Sequence, residues 1–110
     1  MAYLRKQKEI VEIAYSLNKV WLATQKVLSL ECNIEQIDEK THHIKAKTKT
    51  SFMFLGSVLL IDMMPIDKNT TKVSVVAETP VTTITALVDF GQAKHLIDQF
   101  FRELMKQLTS

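Results

Sequence analysis

A single cysteine, Cys32, in 110 residues rules out an internal disulfide, and nothing in the chain calls for an oxidising compartment. Glycine is nearly as scarce. With only Gly56 and Gly91 there is no glycine-rich loop to cradle a phosphate, which removes P-loop and dinucleotide-binding fingerprints together. There is no proline- or glycine-rich linker, no internal repeat and no low-complexity segment. Long apolar runs are missing too: none approaches the ~20 residues that a membrane helix requires. The opening MAYLRKQKEIVEIAYS carries basic residues, but Glu9 and Glu12 break any apolar h-region. No signal peptide is therefore expected, and a soluble, cytoplasmic protein is the default expectation. Charge of one sign is also lacking. A net charge of +2 is too small by itself to argue for nucleic acid as a partner.

What is present is ordinary for a globular domain: 46% hydrophobic and 24% charged residues. The length fits a single domain, residues 1–110, able to bury roughly 65% of the surface its unfolded chain exposes. Within KEIVEIAYS, residues 8–16, Val11, Ile13 and Tyr15 alternate with Glu12 and Ala14, so a strand is expected rather than a helix. Ser16 can then cap a helix that starts at Leu17 by accepting a backbone N–H bond. Leu17, Val20, Trp21, Ala23, Val27, Leu28 and Leu30 follow helical spacing, and the helix is expected to end near Cys32 and Asn33. NIEQID reads as a short strand and EKT as a turn. HHIKAKTKT reads as a second strand, with Ile44, Ala46 and Thr48 on one side and His43, Lys45, Lys47 and Lys49 on the other.

SVLLIDMMPI and TTKVSVVAET read as an antiparallel pair around DKN. Facing Ile66 with Thr70 leaves a three-residue loop with Asn69 in left-handed geometry, which Asn tolerates. Leu59, Ile61 and Met63 then share a face with Val73, Val75 and Ala77. Val58, Leu60, Asp62 and Met64 lie on the other beside Lys72, Ser74, Val76 and Glu78. A slip of one residue places Asp62 in the core, which is costly, so the first register is preferred. Residues 80–88 fit either an extended segment or a lead-in turn. Asp89 and Gln92 have capping-box spacing ahead of a long helix to about Leu108. Its apolar residues, Phe90 to Leu108, cover an arc of roughly 180°, wider than one sheet face demands, and the first helix is the simplest additional cover. The expected fold is α+β: an antiparallel sheet of four to five strands with two helices packed on one face, in the order β-α-β-β-β-β-α.

The order of a strand, SLNKVW opening a helix, an antiparallel meander and a long C-terminal amphipathic helix resembles the helix-grip layout of the START and polyketide-cyclase-like superfamily. Val20 and Trp21 match the Val-Trp pair that commonly opens the first helix there. IEQIDEKTHHIKAKTKTS and DFGQAKHLIDQFF are also similar to small uncharacterised prokaryotic domains of reduced helix-grip type, including those in an outer-membrane assembly lipoprotein. The resemblance spans nearly the whole chain and consists of packing patterns, so it transfers no catalytic residue. The chain is shorter than a full START-like domain, which argues against a large ligand cavity. It also lacks a lipobox-type export signal, which argues against an envelope role.

Candidate chemistry is sparse. Adjacent histidines on a strand point to opposite faces, so His42 and His43 cannot chelate one metal, and they read as surface residues. His95 falls on the polar side of the last helix, and Cys32 lacks a nucleophile signature and reads as a half-buried thiol. Asp62 and Glu78 are better explained by pairing with Lys72 and Lys49 than by acid-base work. No cofactor, metal or catalytic residue is expected, and the reading leans away from an enzyme. Lys45, Lys47 and Lys49, extended by Lys72, have a spacing that could follow phosphates, yet no aromatics interleave them and acids sit nearby. Nucleic acid and membrane surface are accordingly disfavoured as partners.

The apolar run Phe52, Met53, Phe54 and Leu55 sends two side chains each way if extended, so one pair needs a cover other than the core. A second copy or another protein is the first candidate. The alternative has Phe52 and Phe54 capping the open end of the sandwich while Met53 and Leu55 rest on Tyr3 or Leu4. Two functional readings follow. One is a non-enzymatic domain that self-associates through residues 52–55 together with Val58, Leu60, Met64 and Val76, with lysines and acids at the rim. The other is a small-molecule or lipid carrier with a pocket between the long helix and the sheet, lined in part by Met53, Met63 and Met105.

Overall fold

The computed structural model describes residues 3–48, 57–81 and 92–109. Five strands, β1 (Tyr3–Ile13), β2 (Cys32–Asp38), β3 (His43–Thr48), β4 (Val58–Asp67) and β5 (Thr70–Val81), form one antiparallel sheet in the order β1-β5-β4-β3-β2. Helix α1 (Leu17–Glu31) joins β1 to β2, and helix α2 (Gln92–Thr109) closes the order β-α-β-β-β-β-α. Residues 49–56 and 82–91 lie outside the described set. They include the 52–55 segment, Lys49, the ambiguous stretch beyond Val81 and the proposed cap at Asp89.

Period-two alternation decides which way the sheet faces. Ile44, Ala46, Leu59, Ile61, Met63, Val73, Val75 and Ala77 are all buried in one cluster with Val20, Trp21, Val27 and Leu28 of α1 and Leu96, Ile97, Phe100 and Leu104 of α2. Both helices therefore cover the same face, α2 lying against β5, β1 and α1. Each fully buried leucine or isoleucine in that layer contributes roughly 1.5–3 kcal/mol by leaving water. The register follows the alternation: Leu59 faces Ala77, Ile61 faces Val75 and Met63 faces Val73, while the Asp62 side chain stays 58% exposed.

The end of that hairpin differs from expectation. A bulge between Pro65 and Asp67 lets Asp67 face Thr70, and Asn69 does not enter left-handed geometry. The Asn69 N–H donates to Asp67 Oδ1 at 2.8 Å, an Asx turn that closes the loop without a positive φ. That conformation belongs instead to His42, with φ 54°, in the turn between β2 and β3, where Asp38 Oδ1 accepts from the Lys40 and Thr41 N–H groups. Ser16 caps α1 as expected, accepting from the Lys19 N–H at 3.4 Å. Leu30, expected on the packed stripe, is 65% exposed because Val27, Leu28 and Cys32 occupy the inward positions at that end of the helix.

One charge cluster ties α2 to the first strand. Lys94 Nζ lies 3.1 Å from Asp98 Oδ2 and 3.7 Å from Glu9 Oε1. The Asp98 hydrogen bond, its charge and that of Glu9 raise the Lys94 pKa above the ordinary value of 10.5. A raised lysine pKa means that the charged form favours the folded chain. This contribution is complete below 10.5 and disappears as pH climbs through the folded-state value. The melting-temperature gap between the parent and Lys94→Met, small at neutral pH because the pair is exposed, should close in strongly alkaline buffer.

Two buried threonines give a sharper contrast. Thr71 Oγ1 donates to the Tyr15 carbonyl at 2.9 Å, whereas the buried Thr24 Oγ1 has no hydrogen-bond partner. Thr71→Val strands an acceptor and should lower stability by about 1 kcal/mol; Thr24→Val removes an unsatisfied hydroxyl and should raise it by about 1 kcal/mol. Urea unfolding of both variants checks the opposite signs.

Candidate functional site

The inner layer is not filled throughout. Between the C-terminal half of α1 and the middle of α2 lies a cleft of about 300 Å³. Helical spacing places Val27, Leu28 and Glu31 on one wall and Leu96, Gln99, Phe100 and Glu103 on the other. Its floor comes from the sheet: Cys32 and Thr48, register partners at the β2–β3 end, and Leu59 of β4. Cys32 and Thr48 are short side chains under the gap between two helices, and they leave space where a larger pair would fill it. The Thr48 hydroxyl and N–H both donate to the Ser57 carbonyl, at 3.2 and 2.9 Å, which fixes the strand end beneath the cleft.

The polar side chains of the walls reach solvent: Glu31 is exposed, and Gln99 and Glu103 are half-buried. Gln99, Glu31 and Glu103 are the polar side chains of the helix walls, and among the described residues no lysine or arginine lines the cleft. A neighbouring hollow of about 260 Å³ shares Val27, Leu30, Glu31 and Glu103 with it and adds Lys106 and Gln107. There Lys106 Nζ sits 3.5 Å from Glu103 Oε1.

Two of the three methionines expected to line a pocket, Met63 and Met105, do not do so. Met63 is buried in the sheet layer away from the cleft. Met105 is 39% exposed because its neighbour Leu104 takes the inward helical position. Met53 lies outside the described residues. None of the actual lining residues carried a sequence signal beyond that of ordinary core, because a gap between helices is a property of their separation, not of any residue type.

On the opposite face of the sheet, strand register lays out the remaining candidates in rows. Lys47, Val58, Glu78 and Lys6 form one; Lys45, Leu60, Val76 and Lys8 form the next. Then come His43, Asp62, Ser74 and Ile10, and finally Met64, Lys72 and Glu12. The register thus joins Val58, Leu60 and Val76 into one apolar centre with Lys45 and Lys47 beside it. Lys72 stands apart, two strands from β3 and next to Glu12. Among the described residues Asp62 Oδ1 lies 2.7 Å from His43 Nδ1 and Glu78 Oε2 lies 3.2 Å from Lys6 Nζ; neither acid pairs with Lys72, while the expected partner Lys49 lies outside the described residues. The second contact depends on β1 pairing with β5, a long-range register that local patterning does not reveal. His42 turns away from this face and meets Trp21 edge to face at 4.9 Å. Among the described residues no three His, Cys, Asp or Glu side chains gather as metal ligands, and no helix is long and apolar enough to cross a membrane.

The chain has a helix-grip fold of the START and polyketide-cyclase-like type. Ara h 8.0201 shares it with a TM-score of 0.64 at 14% identity over 97% of this chain and 99% of that one. The di-domain ARO/CYC BexL, from the BE-7585A biosynthetic pathway, gives 0.64 at 9% identity over 94% of this chain and 45% of that chain. Truncated norcoclaurine synthase from Thalictrum flavum gives 0.62 at 9% identity over 97% and 92%. No protein-family model and no curated protein matches the chain. The cleft of this chain lies between the two helices, with the sheet as its floor.

Proposed function

We propose that the chain is a binding module for a small apolar molecule held in the cleft between α1, α2 and the sheet. The observation that carries this reading is the cleft itself: walls of Val27, Leu28, Leu59, Leu96 and Phe100 with a few polar groups at one end. That is the usual chemistry of a small-molecule site, and about 300 Å³ stands at the small end of the usual range. Solved structures that share the fold include biosynthetic proteins, norcoclaurine synthase and an ARO/CYC protein, which is compatible with a small-molecule role.

Cys32, the sole cysteine, lines the cleft and supplies a reporter. Alkylation of Cys32 by N-ethylmaleimide should slow in the presence of 1-octanol, and native mass spectrometry of freshly purified protein should show a co-purifying apolar molecule. Leu96→Trp fills the cleft from α2; it should abolish the protection while circular dichroism remains that of the parent. An unchanged alkylation rate at saturating octanol, with no co-purifying mass, sinks the reading.

A second reading has its own support on the outer sheet face. Ile10 and Met64 are 51% and 60% exposed there, beside the half-buried Val58, Leu60 and Val76. Such a centre, with Lys6, Lys8, Lys45 and Lys47 at its ends, has the composition of an interface between two copies of the chain. The proposed interface extends to Phe52, Met53, Phe54 and Leu55. Sedimentation velocity at high micromolar concentration should give a dimer, and Leu60→Lys should return it to monomer. A parent that sediments as a monomer throughout that range ends this reading.

A further inference from the structure

Resting on the ligand-binding reading above, the charge around the cleft restricts the class of molecule it takes. Among the described residues, the charged side chains that line it, Glu31 and Glu103, are both acidic and stand on opposite walls. Glu103 is half-buried and shares its charge with Lys106, which lies outside the cleft in the adjoining hollow. Glu31 has no ion-pair partner among the described residues.

A separate source of negative potential points the same way. Glu31 is the last residue of α1 and lines the cleft, so the C-terminal turn of the helix forms part of its wall. The aligned peptide dipoles place a partial negative charge there, and no basic side chain in the last turn offsets it. The backbone and two carboxylates therefore act together on whatever occupies the mouth, whereas the interior beyond it is apolar.

We infer that the cleft accepts a cationic amphiphile. Its hydrocarbon or aromatic body lies against Leu28, Leu59, Leu96 and Phe100, and its protonated amine rests at the mouth between Glu31 and Glu103. A fatty carboxylate of the same size places its charge against two like charges and a helix C-terminus, and binds worst. A neutral alcohol gains the apolar contacts alone. The amine makes no covalent bond, and no reaction is implied.

The experiment compares octylamine, 1-octanol and octanoate at neutral pH and low salt, using protection of Cys32 from N-ethylmaleimide in the whole chain. Octylamine should bind roughly two- to five-fold more tightly than octanol, the range expected of a partly exposed charge pair, and octanoate more weakly than either. The preference should shrink as salt is added. Glu31→Gln and Glu103→Gln should each lower the ratio of octylamine to octanol affinity toward one, and Lys106→Met should widen the gap. Measuring octanol on every variant separates a lost charge from a damaged fold. Equal protection by all three compounds, or strongest protection by octanoate, overturns the cationic class while the cleft remains a binding site. Protection by none of the three removes the binding reading and this inference together.

Discussion

The pairing of β4 with β5 sends Leu59, Ile61 and Met63 to one side with Val73, Val75 and Ala77 and leaves Asp62 on the other. A slip by a single residue exchanges the two sets, which buries a carboxylate and exposes the aliphatic side chains of the core layer. Both helices take their place from that choice. Each has one apolar stripe and needs a surface for it, and the sheet offers a continuous one on a single side. The wide apolar arc of α2 is satisfied in the same way, partly by β5 and β1 and partly by α1.

Covering one face with two helices has a geometric consequence. Two cylinders laid on a twisted sheet cannot contact each other and the sheet at every level, and where side chains are short a space remains. Here that level is the β2–β3 end, with Cys32 and Thr48 beneath. Among the described residues no helix covers the opposite face, where the methylenes of neighbouring lysines can lie along Val58, Leu60 and Val76 while their ammonium groups reach water.

Local chemistry made much of the architecture legible. The alternation in residues 43–48, the outward Asp62 and the cap at Ser16 are short-range patterns, and each led to the strand, register or helix start that the structure has. The errors have a common cause. Asn69 was expected to be left-handed from loop length alone, but the bulge after Pro65 shortened the loop. Local patterning offers Lys72 and Lys49 to Asp62 and Glu78 and gives no sign of Lys6, which β1 brings alongside Glu78 from more than seventy positions away. The cleft was less legible still. Leu28, Leu96 and Phe100 look like any core residues on a helix, and only the spacing between helices distinguishes a wall from a filled interior.

The strand order also dictates a sequence of events in time. The strands nearest the N-terminus, β1 and β2, end up on opposite margins of the sheet, and β1 can join only after β5 exists, since Tyr3 pairs with Val81. Successive hairpins from β2 to β5 close short loops, whereas docking of β1 closes most of the chain and carries the larger entropic penalty. On a ribosome β1 therefore has no sheet partner, and Ile10, Val11 and Ile13 stay unpaired, until β5 has emerged.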